Sequence, residues 1–136
     1  MTTVSLRYSP VVVDDMDAAV GFYRDALGLE LKTDVSNGGS RWVTLGFAAQ
    51  PGLELVLSEP GGGRSPQDAE ALQELLTKGL LPGPLVFAVD DLDALFEQVR
   101  ASGAEVLQEP AVQPWGPRDC AFRDPAGNLV RVNQAG

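Results

Sequence analysis

A chain with no histidine lacks the side chain that most often moves protons near neutral pH. Acid–base chemistry would fall to Glu54, Tyr8, Tyr23 or Cys120, and none of these sits in a triad-like context. Proton transfer by Glu54 would require a raised carboxyl pKa, which nothing in its neighbours demands. Binding chemistry is better supplied. Trp42 lies in SRWVTL, where a strand position suits a core residue somewhat more readily than a ligand platform. Trp115 lies in QPWGPRD, flanked by Pro114, Gly116 and Pro117, and a large amphipathic ring in such a loop serves equally to cover a ligand or to pack. Arg118 and Arg131 can answer a ligand's oxygens, although Arg118 also fits a solvated strand end. The triplets Asp14, Asp15, Asp17 and Asp90, Asp91, Asp93 read as helix caps that complement the N-terminal dipole rather than as metal ligands. Cys120 has no cysteine to pair with and, in the strand-like CAF, reads as a buried inert thiol.

These residues are carried by a repeat. VDDMDAAVGFYR from Val13 reappears as VDDLDALFEQVR from Val89, 76 residues later, with the Val, three Asp, the Ala and the closing Arg in register. Two copies of one structural unit follow. In the first, Tyr8 to Val13 is an apolar strand, Asp14 or Asp15 caps a helix over 15–27, and Met16, Ala19, Val20, Tyr23 and Leu27 recur at helical spacing before Gly28. In the second, Leu85 to Val89 is the strand and Asp90 or Asp91 the cap of a helix over 91–102. Leu92, Leu95, Phe96 and Val99 form its buried stripe and Gly103 its stop. Apolar segments with turn punctuation follow each helix: Leu29 to Thr33, Arg41 to Phe47 and Leu53 to Ser58, then Glu105 to Gln108, Asp119 to Phe122 and Leu129 to Asn133. Each unit is β-α-β-β-β, and the fold class is α+β.

At 136 residues the chain suits one compact domain, with module one over 1–58, a linker region over 59–82 and module two over 83–136. In the linker, Gly61 to Gly63 lack the following Lys-Ser/Thr pair of a phosphate loop and read as a flexible connector. Ser65 as cap, Pro66 in the first turn, Leu72, Leu75 and Leu76 as a stripe and Gly79 as stop predict a short helix. A net charge of −9 repels phosphate backbones and anionic lipid, so neither nucleic acid nor a membrane surface is an expected partner. MTTVSLRYSP has no basic region followed by a long apolar stretch, and no apolar run is long enough to span a bilayer. A cytoplasmic protein is expected.

VDDMDAAVGFYRDALGLEL resembles the opening pattern of the vicinal oxygen chelate superfamily, the glyoxalase, bleomycin-resistance and extradiol-dioxygenase group, and DPAGNLVRV resembles its closing hairpin. The likeness runs over essentially the whole chain, the 59–82 connector matching in length and role. It implies paired modules whose curved mixed sheets enclose a cavity, and a homodimer that covers the sheet edges.

In metal-dependent members of that superfamily the ligands come from the first and last strands of each module. The corresponding positions here are Tyr8, Pro84, Glu54 and Arg131, which offer one carboxylate where three or four converging donors are needed. No metal and no other cofactor is therefore expected. Alternation with Leu53 and Leu55 puts Glu54 on the opposite strand face, which the resemblance makes the cavity face. The resemblance then implies a metal-free protein of the bleomycin-resistance type. Such a protein sequesters a small aromatic or cationic antibiotic, with Tyr8, Trp42, Glu54, Trp115, Arg118 and Arg131 as ligand contacts. The alternative is a glyoxalase-like lyase, isomerase or dioxygenase with rearranged ligands. Glu54 and Arg131, opposite in charge at positions that would share an ion, are expected to pair with each other within a chain or across a dimer.

Overall fold

The computed structural model describes residues 2–135. Strand β1 (Tyr8–Val12) is followed by Val13, whose amide donates to the Ser58 carbonyl at 2.8 Å, and the chain turns into α1 (Met16–Val20). Asp15 is the cap, its carboxylate accepting from Ala18 N at 3.1 Å. The regular helix predicted over 15–27 is not what forms. After Val20 the backbone widens into a π-helical stretch, Gly21–Ala26, with Leu27 N bonded back to Phe22 O at 2.9 Å. The wider turn rotates successive residues by less, so the neighbours Phe22 and Tyr23 are both buried. Gln98 Nε2 takes up the Ala26 carbonyl at 2.6 Å near the stretch's end.

Strands β2 (Glu30–Asn37), β3 (Ser40–Phe47) and β4 (Gln50–Ser58) complete the first module. They pair in the order β1-β4-β3-β2, with β1 and β4 parallel and the rest antiparallel. The linker helix α2 (Pro66–Thr77) is capped by Ser65, which accepts from Asp68 N at 3.1 Å. Its predicted stripe is narrower than expected: Leu76 is buried and Leu72 half-buried, but Leu75 faces outward. The second module repeats the first through β5 (Leu85–Val89), α3 (Leu92–Ala101), β6 (Glu105–Val112), β7 (Arg118–Arg123) and β8 (Leu129–Gln134). Its sheet order is β5-β8-β7-β6, again with the two outer-to-inner partners β5 and β8 parallel.

The duplication persists in detail. Asp91 caps α3 through Ala94 N at 3.0 Å as Asp15 caps α1, and Gly103 (φ 92°) stops α3 where Gly28 (φ 86°) ends the first helical segment. Register shifts fall at matching places, between Leu31 and Thr33 and between Val106 and Gln108. A bulge there bends the strand. The predicted β2 and β6 are extended past these shifts, to Asn37 and Val112.

Alternation decides which sheet face is dry. Val43, Leu45, Leu55 and Leu57 in module one, and Cys120, Phe122, Val130 and Val132 in module two, point toward the helices and join one buried cluster with Tyr23, Leu92, Phe96 and Val99. Among the described residues neither α1 nor α3 lies on the sheets' other faces, and α2 reaches only the end of module one's, near Trp42 and Ser58. Among the described residues no helix is long and apolar enough to cross a membrane.

Candidate functional site

The faces turned away from α1 and α3 collect the residues whose chemistry is otherwise unexplained. In module one Tyr8 stands opposite Glu54 on β4, and Glu54 opposite Gly46 on β3. Because Leu55 and Leu57 point into the core, Glu54 points out to the open face. Its carboxylate lies 3.8 Å from the Arg7 guanidinium, which also sits 5.0 Å from the Tyr8 ring centre. A side chain at Gly46 would have a Cβ 2.6 Å from Lys32 Cε, so the glycine leaves the lysine stem room across the strand.

Trp42 is on this open face and not in the core. It pairs with Val35 and meets Tyr8 edge to face, ring centres 6.0 Å apart at 79°. Tyr8 is 42% and Trp42 45% exposed, large values for aromatic rings on sheet strands. Between their rows lie Val56 and Thr44, both buried, and among the described residues Thr44 Oγ1 has no hydrogen-bond partner. Beside Trp42 a cleft of about 820 Å³ opens between the β2–β3 hairpin and the glycine-rich connector, with Val35, Ser58, Glu59, Glu70 and Gln73 in its walls. That volume suits a drug-sized molecule.

Module two turns a different chemistry to its open face. Arg131 stands opposite Val86 on one side and Ala121 on the other. Its Nη1 donates to Asp119 Oδ2 at 2.8 Å and to Gln108 Oε1 at 3.4 Å. The other Asp119 oxygen accepts from Gln113 Nε2 at 2.6 Å, and Gln113 N closes the β6–β7 turn on Pro117 O at 3.0 Å. That turn carries Trp115, exposed at its tip. Asp119 itself is buried. Sequence reasoning passed over Asp119, Gln108 and Gln113, yet one signal was present: Cys120 and Phe122 alternate inward, so Asp119 had to share a face with Arg131.

The predicted Glu54–Arg131 pair does not form within the chain. Glu54 is held toward Arg7 and Arg131 toward Asp119. The two positions are also out of step, since Glu54 is opposite Tyr8 whereas Arg131 is opposite Val86 and not Pro84. Arg118 is turned away from the other candidates. Opposite in direction to Asp119, it reaches the helix side and binds Asp93 with Nη2 at 2.7 Å and Nη1 at 3.2 Å. Arg41 is its counterpart, bonding Asp17 at 2.7 Å and Asp34 at 2.9 and 2.8 Å. Hydrogen bonding to these arginines holds the Asp93 and Asp34 carboxyls below the usual range. Asp17 and Asp93 therefore anchor strands, while Asp15 and Asp91 do the capping.

Cys120 faces the core, where burial foremost and the adjacent Asp119 next push its thiol up to about 11. At the superfamily's metal positions the donors do not fit an ion: Pro84 brings none, and Arg131 is a cation already bonded to Asp119. Among the described residues no three His, Cys, Asp or Glu side chains come together as a metal site.

Fold and faces together define an α+β protein of two fused β-α-β-β-β modules, each with a helix-backed core and an open sheet face. The chain belongs to the glyoxalase/bleomycin resistance protein/dioxygenase superfamily, whose family description matches residues 5–132. It is 33% identical over 126 residues to the "Uncharacterized protein YurT" of Bacillus subtilis (strain 168), covering 91% of this chain and 94% of that one. Among solved structures, UcmS2 superposes with a TM-score of 0.85 at 31% identity, covering 97% of this chain and 98% of the other. TnmS3, an antibiotic binding protein from Streptomyces sp. CB03234, superposes with a TM-score of 0.75 at 27% identity, covering 100% and 99%.

Proposed function

We propose that this protein is a metal-free small-molecule binding protein that sequesters a planar aromatic, partly cationic natural product of antibiotic type, for resistance or self-protection. The observation that carries the reading is the Tyr8–Trp42 ring pair, exposed on an open sheet face beside a drug-sized cleft. Exposed aromatics of this kind cost solubility unless something covers them. The likeness to an antibiotic binding protein over the whole chain supports the same class of ligand.

The protein acts as a single cytoplasmic domain, modules 1–58 and 83–136 joined by 59–82, and works as a homodimer. Val35, Val86, Leu107 and Val112 are exposed apolar residues on strands, and a second copy would remove them from water while walling the groove. Trp115 and Arg131 line the same groove, with Glu54 at its other wall.

Tryptophan fluorescence titrated with a panel of planar aromatic antibiotics tests the reading, since Trp42 and Trp115 both report. Quenching that saturates, and that weakens in Trp42→Ala and Trp115→Ala without loss of folding, is the expected result. Each stacking contact is worth about 0.5–1.5 kcal/mol beyond burial. No quenching by any compound, together with stoichiometric divalent metal that survives dialysis and turnover of a small oxo-compound, would replace it with the glyoxalase-like enzyme reading.

A further inference from the structure

Two guanidinium groups in this chain show what a satisfied arginine looks like and what an unfilled one looks like. Arg41 is filled. Its Nε and Nη2 grip the two oxygens of Asp34 at 2.9 and 2.8 Å while Nη1 takes Asp17 at 2.7 Å. Arg131 uses Nη1 alone, on Asp119 and Gln108. Among the described residues its Nε and Nη2 have no hydrogen-bond partner. Those two N–H groups point the same way and form the fork that receives both oxygens of a carboxylate.

Accessibility separates the group that holds from the group that is offered. The Asp119 side chain is 2% exposed and that of Arg131 26%, so the carboxylate is enclosed behind the cation. An enclosed carboxylate persists only when its oxygens are bonded, and Asp119 has a donor on each: Arg131 on one, Gln113 on the other. Asp119 thereby fixes the Arg131 plane and also ties down the turn that carries Trp115.

We infer that the Nε/Nη2 edge of Arg131 is the site for a carboxylate borne by the aromatic ligand, with Asp119 as the positioning residue. This rests on the reading of the open faces as the ligand groove and adds the ligand's polar end. Module one is less suited to that end. Its open face offers the two rings, but the Arg7 side chain is 63% exposed with only a 3.8 Å contact to Glu54 to orient it, and Lys32 pairs with Glu30. The net charge of −9 favours cations at long range, but screening confines that field to about 10 Å, whereas the fork acts at contact.

The test uses pyrene-1-carboxylate, its neutral carboxamide and pyrene-1-methylammonium, read by quenching of the two tryptophans. Wild type should bind the carboxylate on the order of tenfold tighter than the carboxamide, the preference expected of one charge-assisted fork. Arg131→Lys keeps the charge but not the fork, and should weaken the carboxylate far more than the carboxamide, bringing the two affinities to within about twofold. Asp119→Asn should reduce the preference and also raise the mobility of Trp115, seen as lower fluorescence anisotropy. If Asp119→Asn fails to fold, Arg131→Lys decides alone. Equal binding of carboxylate and carboxamide in wild type, or a preference that survives Arg131→Lys, overturns the anchor and leaves the aromatic groove standing. Absence of quenching by all three probes overturns groove and anchor together.

Discussion

The Tyr23 hydroxyl donates a 2.6 Å hydrogen bond to the carboxylate of Asp124, 101 residues further along the chain. Both residues are buried, and the bond joins the first module's helix to the hairpin of the second. Asp124 also accepts from Ala126 N and Asn128 N at 2.9 Å each, while Asn128 Nδ2 reaches the Val12 carbonyl at 2.8 Å. Two short motifs that look unrelated in the sequence, FY and DPAGN, are thus two ends of one polar tie between modules.

Tyr23→Phe should therefore cost about 1–3 kcal/mol, the range for leaving a buried acceptor short of a donor. Its pH dependence has a definite sign. Burial first, then the neighbouring Asp124 charge, raise the Tyr23 pKa well above the ordinary value, so the neutral phenol is favoured in the folded state. Stability contributed by this group is complete below the unfolded tyrosine value of about 10 and is lost as pH rises toward the folded one. Urea melts at about pH 9 and about pH 11 should show a steeper alkaline loss in wild type than in Tyr23→Phe. Equal loss in both would show that the tie is not the alkaline-sensitive element.

Thr44 is a buried residue whose hydroxyl has no hydrogen-bond partner among the described residues. Replacing it with the isosteric valine removes an unpaired polar group from a dry site, so Thr44→Val should raise stability by about 1 kcal/mol or more in chemical denaturation. A loss of stability of that size would mean the hydroxyl is bonded in solution.

Cys120 should be silent toward Ellman's reagent in the native protein at about pH 8, because its thiol is enclosed and its pKa is pushed up to about 11. One thiol per chain should appear on unfolding in urea. Rapid native reaction would show that the β7 strand opens readily.

Arg118→Ala should leave ligand affinity within about twofold of wild type, since this arginine is engaged with Asp93 on the helix side and exposed ion pairs of this kind contribute little to stability. A large loss of binding would return Arg118 to the groove.

The architecture was legible because the repeat marks it at four places: two Asp caps and two glycine stops at matching positions declare two identical units. The open-face rings were half legible. Alternation places Trp42 with Glu54 on the face away from Leu45 and Leu55, but sequence cannot say whether another layer covers that face. The Glu54–Arg131 pairing failed for a local reason. A carboxylate on the neighbouring strand reaches Arg131 first, and Arg131 sits beside Val86, not beside the counterpart of Tyr8. The π-helical stretch was illegible because helical spacing fits Met16 through Leu27 well enough, and the wider turn that buries the adjacent Phe22 and Tyr23 leaves no mark in that spacing.

Arg41 and Arg118 clamp the same kind of aspartate on the two helices, yet the residue that follows is Trp42 in one module and Asp119 in the other. The duplicated framework has been kept while the position after each arginine, turned to the open face, holds a ring in one module and the carboxylate that steers a cation in the other. Wherever unlike modules face each other, each groove then receives one aromatic wall and one polar wall, and a twofold dimer built that way holds two equal sites. On the proposed binding reading, a dimer built that way offers one site per chain.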